Sequence, residues 1–360
     1  MRLIPSIVLF FIPFLLTAPS YAWTVEKIAS LNGVPWGLSS VDSQYLLITE
    51  RKGKISLLDL KSKLVKPLFS PPDVVAMGQG GLLDVAKSPF EDNAFYFTFS
   101  TASKNAIETA LAKAYLKDQQ LVNWQVLFTS YSGSNGGRHF GSRITFDEQS
   151  LYLSIGDRGE RDNGQDLSTH AGSIIRLTPD GQPAVDNPFI SDKQIQDEIW
   201  SYGHRNPQGL FYDALSKHLW SIEHGPRGGD EINLIKRKAN YGWPITSHGK
   251  EYWGPLAVGE GLEKEGIESP RKVYIPSIAP GSIVLYRGDR HPSLNGKLLA
   301  GALKLTHINV LTLEGEQIIA EQRVLEHLGE RIRDIELSPT GEIYFSTDSG
   351  NIYHLINTKS

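Results

Sequence analysis

The sequence predicts an all-β fold, a six-bladed β-propeller. Three observations carry that expectation. Short apolar runs end in a polar or charged residue followed by a glycine-bearing turn, the unit recurs along the chain, and few segments carry a helical stripe. The clearest units are 46–48 before Glu50 and Gly53, 151–155 before Asp157 and Gly159, and 219–222 before Glu223 and Gly225. Residues 298–303 before Lys304 and 343–345 before Asp348 and Gly350 continue the series, and 95–99 is a weaker member. Spacings of roughly 40 to 80 residues overlap propeller blade repeats at the short end and exceed them where loops are inserted. About six blades fit the length. Two packed β-sandwich domains are the alternative.

Taken in order, the chain opens on a segment outside the fold. Arg2 supplies a positive start, 3–16 is mostly apolar and uncharged, and Ser20, Tyr21 and Ala22 offer small-x-small spacing. Residues 1–22 thus read as a signal peptide, with a retained anchor as the alternative, and no stable membrane insertion is expected. The mature protein would be periplasmic or secreted. Residues 23–360 read as a single domain, because no Pro/Ser-rich linker divides them. Residues 106–114 are the best helical candidate, although their place between two apolar runs also allows a blade strand. The acidic stretch 259–268 reads as a solvated loop. Alternation in Ile343, Tyr344, Phe345 and Ser346 supports strand structure.

Composition narrows the function. A 40% hydrophobic content and 34 glycines suit a large core with many turns. Formal net charge is −4 without a basic block, so nucleic acid is not an expected partner. Cysteine is absent, which excludes disulfides, thiolate metal sites and thiol nucleophiles.

In a propeller the innermost strands converge on the axis, so residues just after them are expected to meet in one pocket. The candidates are Gln79, His139, Asp157, Arg205, Asn206, Lys304, Arg331 and Arg333. His139 is the candidate general base, given a carboxylate such as Asp157 to orient its ring. Alone, a histidine is more readily structural or a surface residue. Arg205, Lys304, Arg331 and Arg333 around one pocket would call for a ligand carrying several carboxylates or phosphates. The plainer reading of Arg331 and Arg333 is surface pairing with Glu330, Asp334 and their neighbours. Their alternation with Ile332 puts both on one strand face. Gly225 and Pro226 could expose carbonyl oxygens, with Asp230, Glu231 and Tyr241 as further oxygen donors. Such a set selects calcium over zinc, and an ordinary Gly/Pro turn is the alternative.

Eight stretches, in order, resemble the soluble pyrroloquinoline-quinone (PQQ)-dependent glucose/sorbosone dehydrogenases, most closely the bacterial aldose sugar dehydrogenases. They are VPWGL at 34–38, GQGGLLD at 78–84, HFGSR at 139–143, GDRG at 156–159, GHRNPQG at 203–209, HGPRGGDEIN at 224–233, NYGWP at 240–244 and RIRD at 331–334. The resemblance spans nearly the whole mature chain. It implies oxidation of an aldose at the anomeric carbon to the lactone. His139 would abstract the hydroxyl proton as hydride passes to the quinone, Asp157 would orient the imidazole, and Arg205 would stabilise charge on the quinone oxygen. Gln79, Asn206, Lys304, Arg331 and Arg333 would hold the cofactor, with Gln208 and Tyr252 as weaker contacts. The Gly225 and Pro226 carbonyls would hold an activating calcium, and Glu231 and Tyr241 part of a separate structural calcium site. Ser142 and Ser173 stand where many relatives would have Gly and Lys. The implied partners are an aldose substrate and an unidentified electron acceptor. A calcium-dependent lactonase would share the fold but would not need Lys304, Arg331 and Arg333. A noncatalytic, protein-binding propeller would have no use for His139 paired with Asp157.

Overall fold

The computed structural model describes residues 23–356, so the expected signal peptide lies outside the described residues. Strand β1 (Thr24–Ser30) belongs to the last blade. Blade 1 is β2 (Pro35–Ser40), β3 (Tyr45–Glu50), β4 (Lys54–Asp59) and β5 (Val65–Phe69). Blade 2 is β6 (Leu82–Lys87), β7 (Ala94–Ser103), β8 (Ala106–Lys117) and β9 (Gln120–Thr129). Blade 3 is β10 (Ile144–Phe146), β11 (Leu151–Ile155), β12 (Ser173–Leu177) and β13 (Ile199–Tyr202). Blade 4 is β14 (Pro207–Asp213), β15 (His218–Glu223), β16 (Asp230–Ile235) and β17 (Lys272–Tyr274). Blade 5 is β18 (Pro280–Leu285), β19 (Lys297–Ala302), β20 (Ile308–Glu314) and β21 (Gln317–Val324). Blade 6 is β22 (Ile332–Leu337), β23 (Ile343–Thr347) and β24 (Asn351–Ile356), completed by β1.

Each blade is a four-stranded antiparallel sheet, in chain order for blades 1 to 5. The last blade is closed by pairing across the length of the chain, with Val25 opposite Leu355. The fold is therefore the six-bladed propeller, and the helical alternative for 106–114 gives way to strand β8.

Strand alternation builds the core between blades. In β11, Leu151, Leu153 and Ile155 pack toward blade 2 against Tyr96 and Leu111. Tyr152, pointing the other way, packs with Leu210 and Leu219 of blade 4. Both faces of a blade are buried, which is why its strands read as nearly continuous apolar runs.

The six recurrent runs of the sequence are the second strands: β3, β7, β11, β15, β19 and β23. This corrects where the site was expected. Antiparallel order sends the loop before each inner strand and the loop after each second strand to the same end of the ring. Gln79, His139, Asn206 and Arg331 precede inner strands, whereas Asp157 and Asp348 follow second strands. The loops just after the inner strands open at the opposite end.

Arg143 is the axle of the ring. Its Nη1 pairs with Asp84 of blade 2 at 2.9 Å and with Asp334 of blade 6 at 2.7 Å. Its Nε donates to the Gln208 carbonyl of blade 4, and its Nη2 to the carbonyls of Gly281 in blade 5 and Arg333 in blade 6. Its guanidinium lies 4.2 Å from the ring centroid of Trp36 in blade 1. One buried cation thus touches every blade, on charge-assisted bonds that satisfy its fork of donors.

Candidate active site

At the end where those loops gather, a chamber of about 200 Å³ is lined by Trp36, Gln79, Asn206, Gln208, Arg331 and Arg333, among others. Two glycine-rich loops form its side. Gly78 has φ +60°, and a Cβ there would lie 2.3 Å from the Gly137 carbonyl. Only glycine lets the two loops approach this closely.

His139 sits beside the chamber, 8% exposed, with its backbone N–H donating to Gln79 Oε1 at 2.8 Å. Its Nδ1 lies 2.5 Å from Asp157 Oδ1. The carboxylate can only accept, so Nδ1 carries the proton and Nε2 keeps its lone pair. Burial holds His139 below its ordinary pKa; the Asp157 hydrogen bond and charge oppose that, and Arg205 and Arg138 add to it. Gly156 permits the contact, since a Cβ there would stand 2.3 Å from the His139 carbonyl.

Asp157 is fixed on all sides. Gly159 N–H donates to Oδ1 at 2.7 Å, and Trp243 Nε1–H donates to Oδ2 at 2.8 Å. Trp243 comes from the long connection between β16 and β17. That segment runs beside β13, where Tyr202 bridges in parallel to Asn240, and so reaches the site end. The 250–262 loop belongs to the same excursion. It carries Tyr252, which is 64% exposed with its hydroxyl 3.5 Å from Arg205 Nη2.

The Arg205 backbone N–H donates to Glu223 Oε2 at 2.7 Å, and its Nη1 donates to the His224 and Gly225 carbonyls. Its guanidinium lies 5.3 Å from the Trp243 ring centroid, and its Nε has no partner among the described residues. Asn206 Oδ1 accepts from Gly141 N–H and Gln208 Nε2. His224, held against the Pro280 carbonyl through Nε2, is driven down to about 3, above all by burial, and is neutral.

Arg331 and Arg333 do share one face, but their partner is Asp348 rather than Glu330 or Asp334. Arg331 Nε and Arg333 Nε reach its two oxygens at 2.9 and 2.8 Å. Arg333 is buried, while Arg331 is exposed. Burial would raise Asp348, yet Arg333 and then Arg331 hold it below the ordinary carboxylate range. Asp334 is taken by Arg143, and Glu330 accepts from Ser349, Asn351 and Tyr353. Lys304 is exposed, one residue past the lining residue Leu303, and stands at the rim rather than in the wall.

Gly225, Pro226, Glu231 and Tyr241 border one small cavity of about 20 Å³, polar and large enough for an ion or a water. The Pro226 carbonyl accepts no hydrogen bond among the described residues. Glu231 is pushed up to about 8 by burial and by Glu223, a state that a cation beside it would reverse. The Tyr241 hydroxyl donates to the Leu234 carbonyl and accepts from Lys236 N–H, and its backbone N–H donates to the Tyr202 carbonyl, which leaves its own carbonyl for a ligand. Asp230 is withdrawn from the donor set. Its carboxylate accepts from Gly225 N–H, the Ser277 hydroxyl and Ala279 N–H, and shapes the turn instead. Ser142 has φ +85°, a conformation that favours glycine, and its hydroxyl donates to the Phe140 carbonyl.

Sequence reasoning gave no role to Trp243, Arg143, Trp36 or Asp348. The first three lie inside the quoted motifs NYGWP, HFGSR and VPWGL, and Asp348 ends the sixth apolar unit, so composition flagged the places but not the partners.

A family model described as Glucose / Sorbosone dehydrogenase matches residues 33–354. The chain is 35% identical over 358 residues to the aldose sugar dehydrogenase of Escherichia coli, covering 95% of this chain and 96% of that one. The solved apo-form structure of the soluble Escherichia coli enzyme superposes with a TM-score of 0.89 at 34% identity, covering 94% of this chain and 100% of that one. The PQQ-bound aldose sugar dehydrogenase of Streptomyces coelicolor gives a TM-score of 0.78 at 28% identity, covering 94% and 99%.

Proposed function

The chain belongs to the glucose/sorbosone dehydrogenase family, and from that premise we propose that it is a PQQ-dependent aldose sugar dehydrogenase, oxidising the anomeric carbon of an aldose to the lactone. One observation carries this reading: a buried His139–Asp157 pair stands beside a chamber walled by Arg331 and Arg333. A lactonase has no need of that cationic wall, and a binding module has no need of an oriented, buried base.

The donor set fits the cofactor. Gln79, Asn206, Gln208, Arg331 and Arg333 would hold a planar polyanion in the chamber, with Lys304 at the rim and Tyr252 beside Arg205. When bound, the quinone would supply the acceptor for the hydride leaving the sugar C1. His139 Nε2 takes the proton of the anomeric hydroxyl, and Asp157 stabilises the imidazolium that results. Arg205 lends positive charge where negative charge develops. The Gly225 and Pro226 carbonyls are suited to a calcium ion because they are hard oxygen donors, and Glu231 and Tyr241, expected at a separate calcium site, border the same small cavity, which has room for one ion. The electrons leave to an external acceptor.

No helix among the described residues is long and apolar enough to cross a membrane. The periplasmic or secreted location rests on residues 1–22.

The test is reconstitution. Apo-protein given calcium and PQQ is expected to oxidise aldoses with an artificial electron acceptor. No quinone-dependent acceptor reduction across a broad aldose panel would sink the reading.

A further inference from the structure

We propose that Arg51 is an additional carboxylate-binding residue of the cofactor chamber; this rests on the PQQ reading. Arg51 follows the second strand of blade 1, the position that Asp157 and Asp348 hold in their own blades. Its backbone is pinned on both sides, with its N–H donating to the Val34 carbonyl and its carbonyl accepting from Leu82 N–H, both at 3.0 Å. Gly81 makes room for it. A Cβ at Gly81, where φ is +146°, would lie 1.9 Å from the Arg51 carbonyl oxygen and 2.8 Å from its Cγ.

The side chain lines the chamber together with Arg331 and Arg333. Those two share Asp348, and Arg143 behind them is balanced by Asp84 and Asp334. Arg51 is different: its guanidinium has no hydrogen bond, ion pair or ring contact to any described residue. Three guanidiniums therefore line the chamber against the single carboxylate of Asp348. A half-buried cation facing two others is unfavourable unless a ligand brings negative charge to it. Arg51 has a fixed backbone and an unused fork of donors. It is thus pre-organised to take a carboxylate that the Arg331–Arg333 pair does not take.

The measurement is equilibrium binding of PQQ to apo-protein, followed by tryptophan fluorescence, for wild type, Arg51→Gln, Arg51→Lys and Arg333→Gln across a salt series. Arg51→Gln is expected to weaken PQQ binding about tenfold and to flatten its salt dependence. Arg51→Lys should regain part of the loss, and the unfolding midpoint of Arg51→Gln should not move, because the side chain bonds nothing in the protein. An ortho-quinone without carboxylates should bind wild type and Arg51→Gln equally. Wild-type affinity and salt slope in Arg51→Gln, alongside a loss in Arg333→Gln, would overturn the Arg51 assignment and leave the cofactor reading standing. An equal loss for the carboxylate-free quinone would also overturn it. Absence of PQQ binding by the wild-type protein would overturn both.

Discussion

His139 Nδ1 lies 2.5 Å from Asp157 Oδ1, and both residues are buried. The pair fixes which imidazole nitrogen can act as a base. In Asp157→Asn the amide can donate to Nδ1, so the ring is free to turn over its tautomer and present a protonated Nε2. Turnover is expected to fall by about 10² to 10⁴ in Asp157→Asn and in His139→Ala, with PQQ binding retained. Full turnover in a His139→Ala protein that binds the quinone would remove His139 as the base.

The acid limb of kcat/KM should lie below the ordinary histidine value of 6.5. Burial disfavours the imidazolium, so the free base persists to lower pH. Asp157 opposes that by favouring the charged ring. Any residual activity of Asp157→Asn should therefore show its acid limb lower still, and a limb that moves upward would contradict this sign.

Trp243 acts on the base through Asp157. Its indole N–H stabilises the carboxylate charge, so Trp243→Phe leaves Asp157 a stronger attractor for a proton on His139. The acid limb should move up, and kcat should drop about tenfold, the scale of one lost hydrogen bond to a charged group. A loss of kcat without any shift in the pH profile would mean that Trp243 only packs.

Arg143→Met should cost about 3 to 5 kcal/mol in denaturant unfolding, because it strands Asp84 and Asp334 as unpaired buried carboxylates. A change within about 0.5 kcal/mol, the range of an ordinary surface substitution, would show that the axle is dispensable.

Glu336, beyond Arg143 along the axis, accepts from Ser40 N–H at 2.6 Å and is raised from 4.5 to about 8, chiefly by burial. A raised folded-state value means that the native state holds the proton more tightly than the unfolded chain. Its contribution is full below 4.5 and is lost as pH rises through about 8. Glu336→Gln mimics the protonated acid and should flatten the fall in unfolding midpoint across that window. An unchanged slope would show that Glu336 is not its source.

The fold was legible because the second strands are buried on both faces and four of the six, β3, β11, β15 and β23, stop at a glycine-bearing turn. That local signal located one strand in every blade. It also misdirected the site: nothing in a run such as 151–155 says that it is second from the axis, so the loops after the innermost strands were expected to carry the chemistry. Among site residues, His139 and Asp157 stood out as chemical types in glycine-bearing motifs, and Arg333 by its alternation with Arg331. Trp243 did not, because its partner Asp157 is 86 positions away and its loop reaches the site only by running along a neighbouring blade. Lys304 looked equivalent to Arg333, yet one is an exposed rim residue and the other is buried.

By itself, the sequence determined the strand-and-turn rhythm, the glycines that let loops meet, the exclusion of thiol chemistry and the inventory of charges. Tertiary structure decided which loops share one end of the ring and which charges are balanced. Arg331 and Arg333 are answered by Asp348, whereas Arg51 is left open. The reason is ring closure. Contacts such as Leu38 N–H to Asp334, 296 positions apart, depend on the blades completing a circle, and no local pattern of residues encodes who will stand opposite whom across its axis.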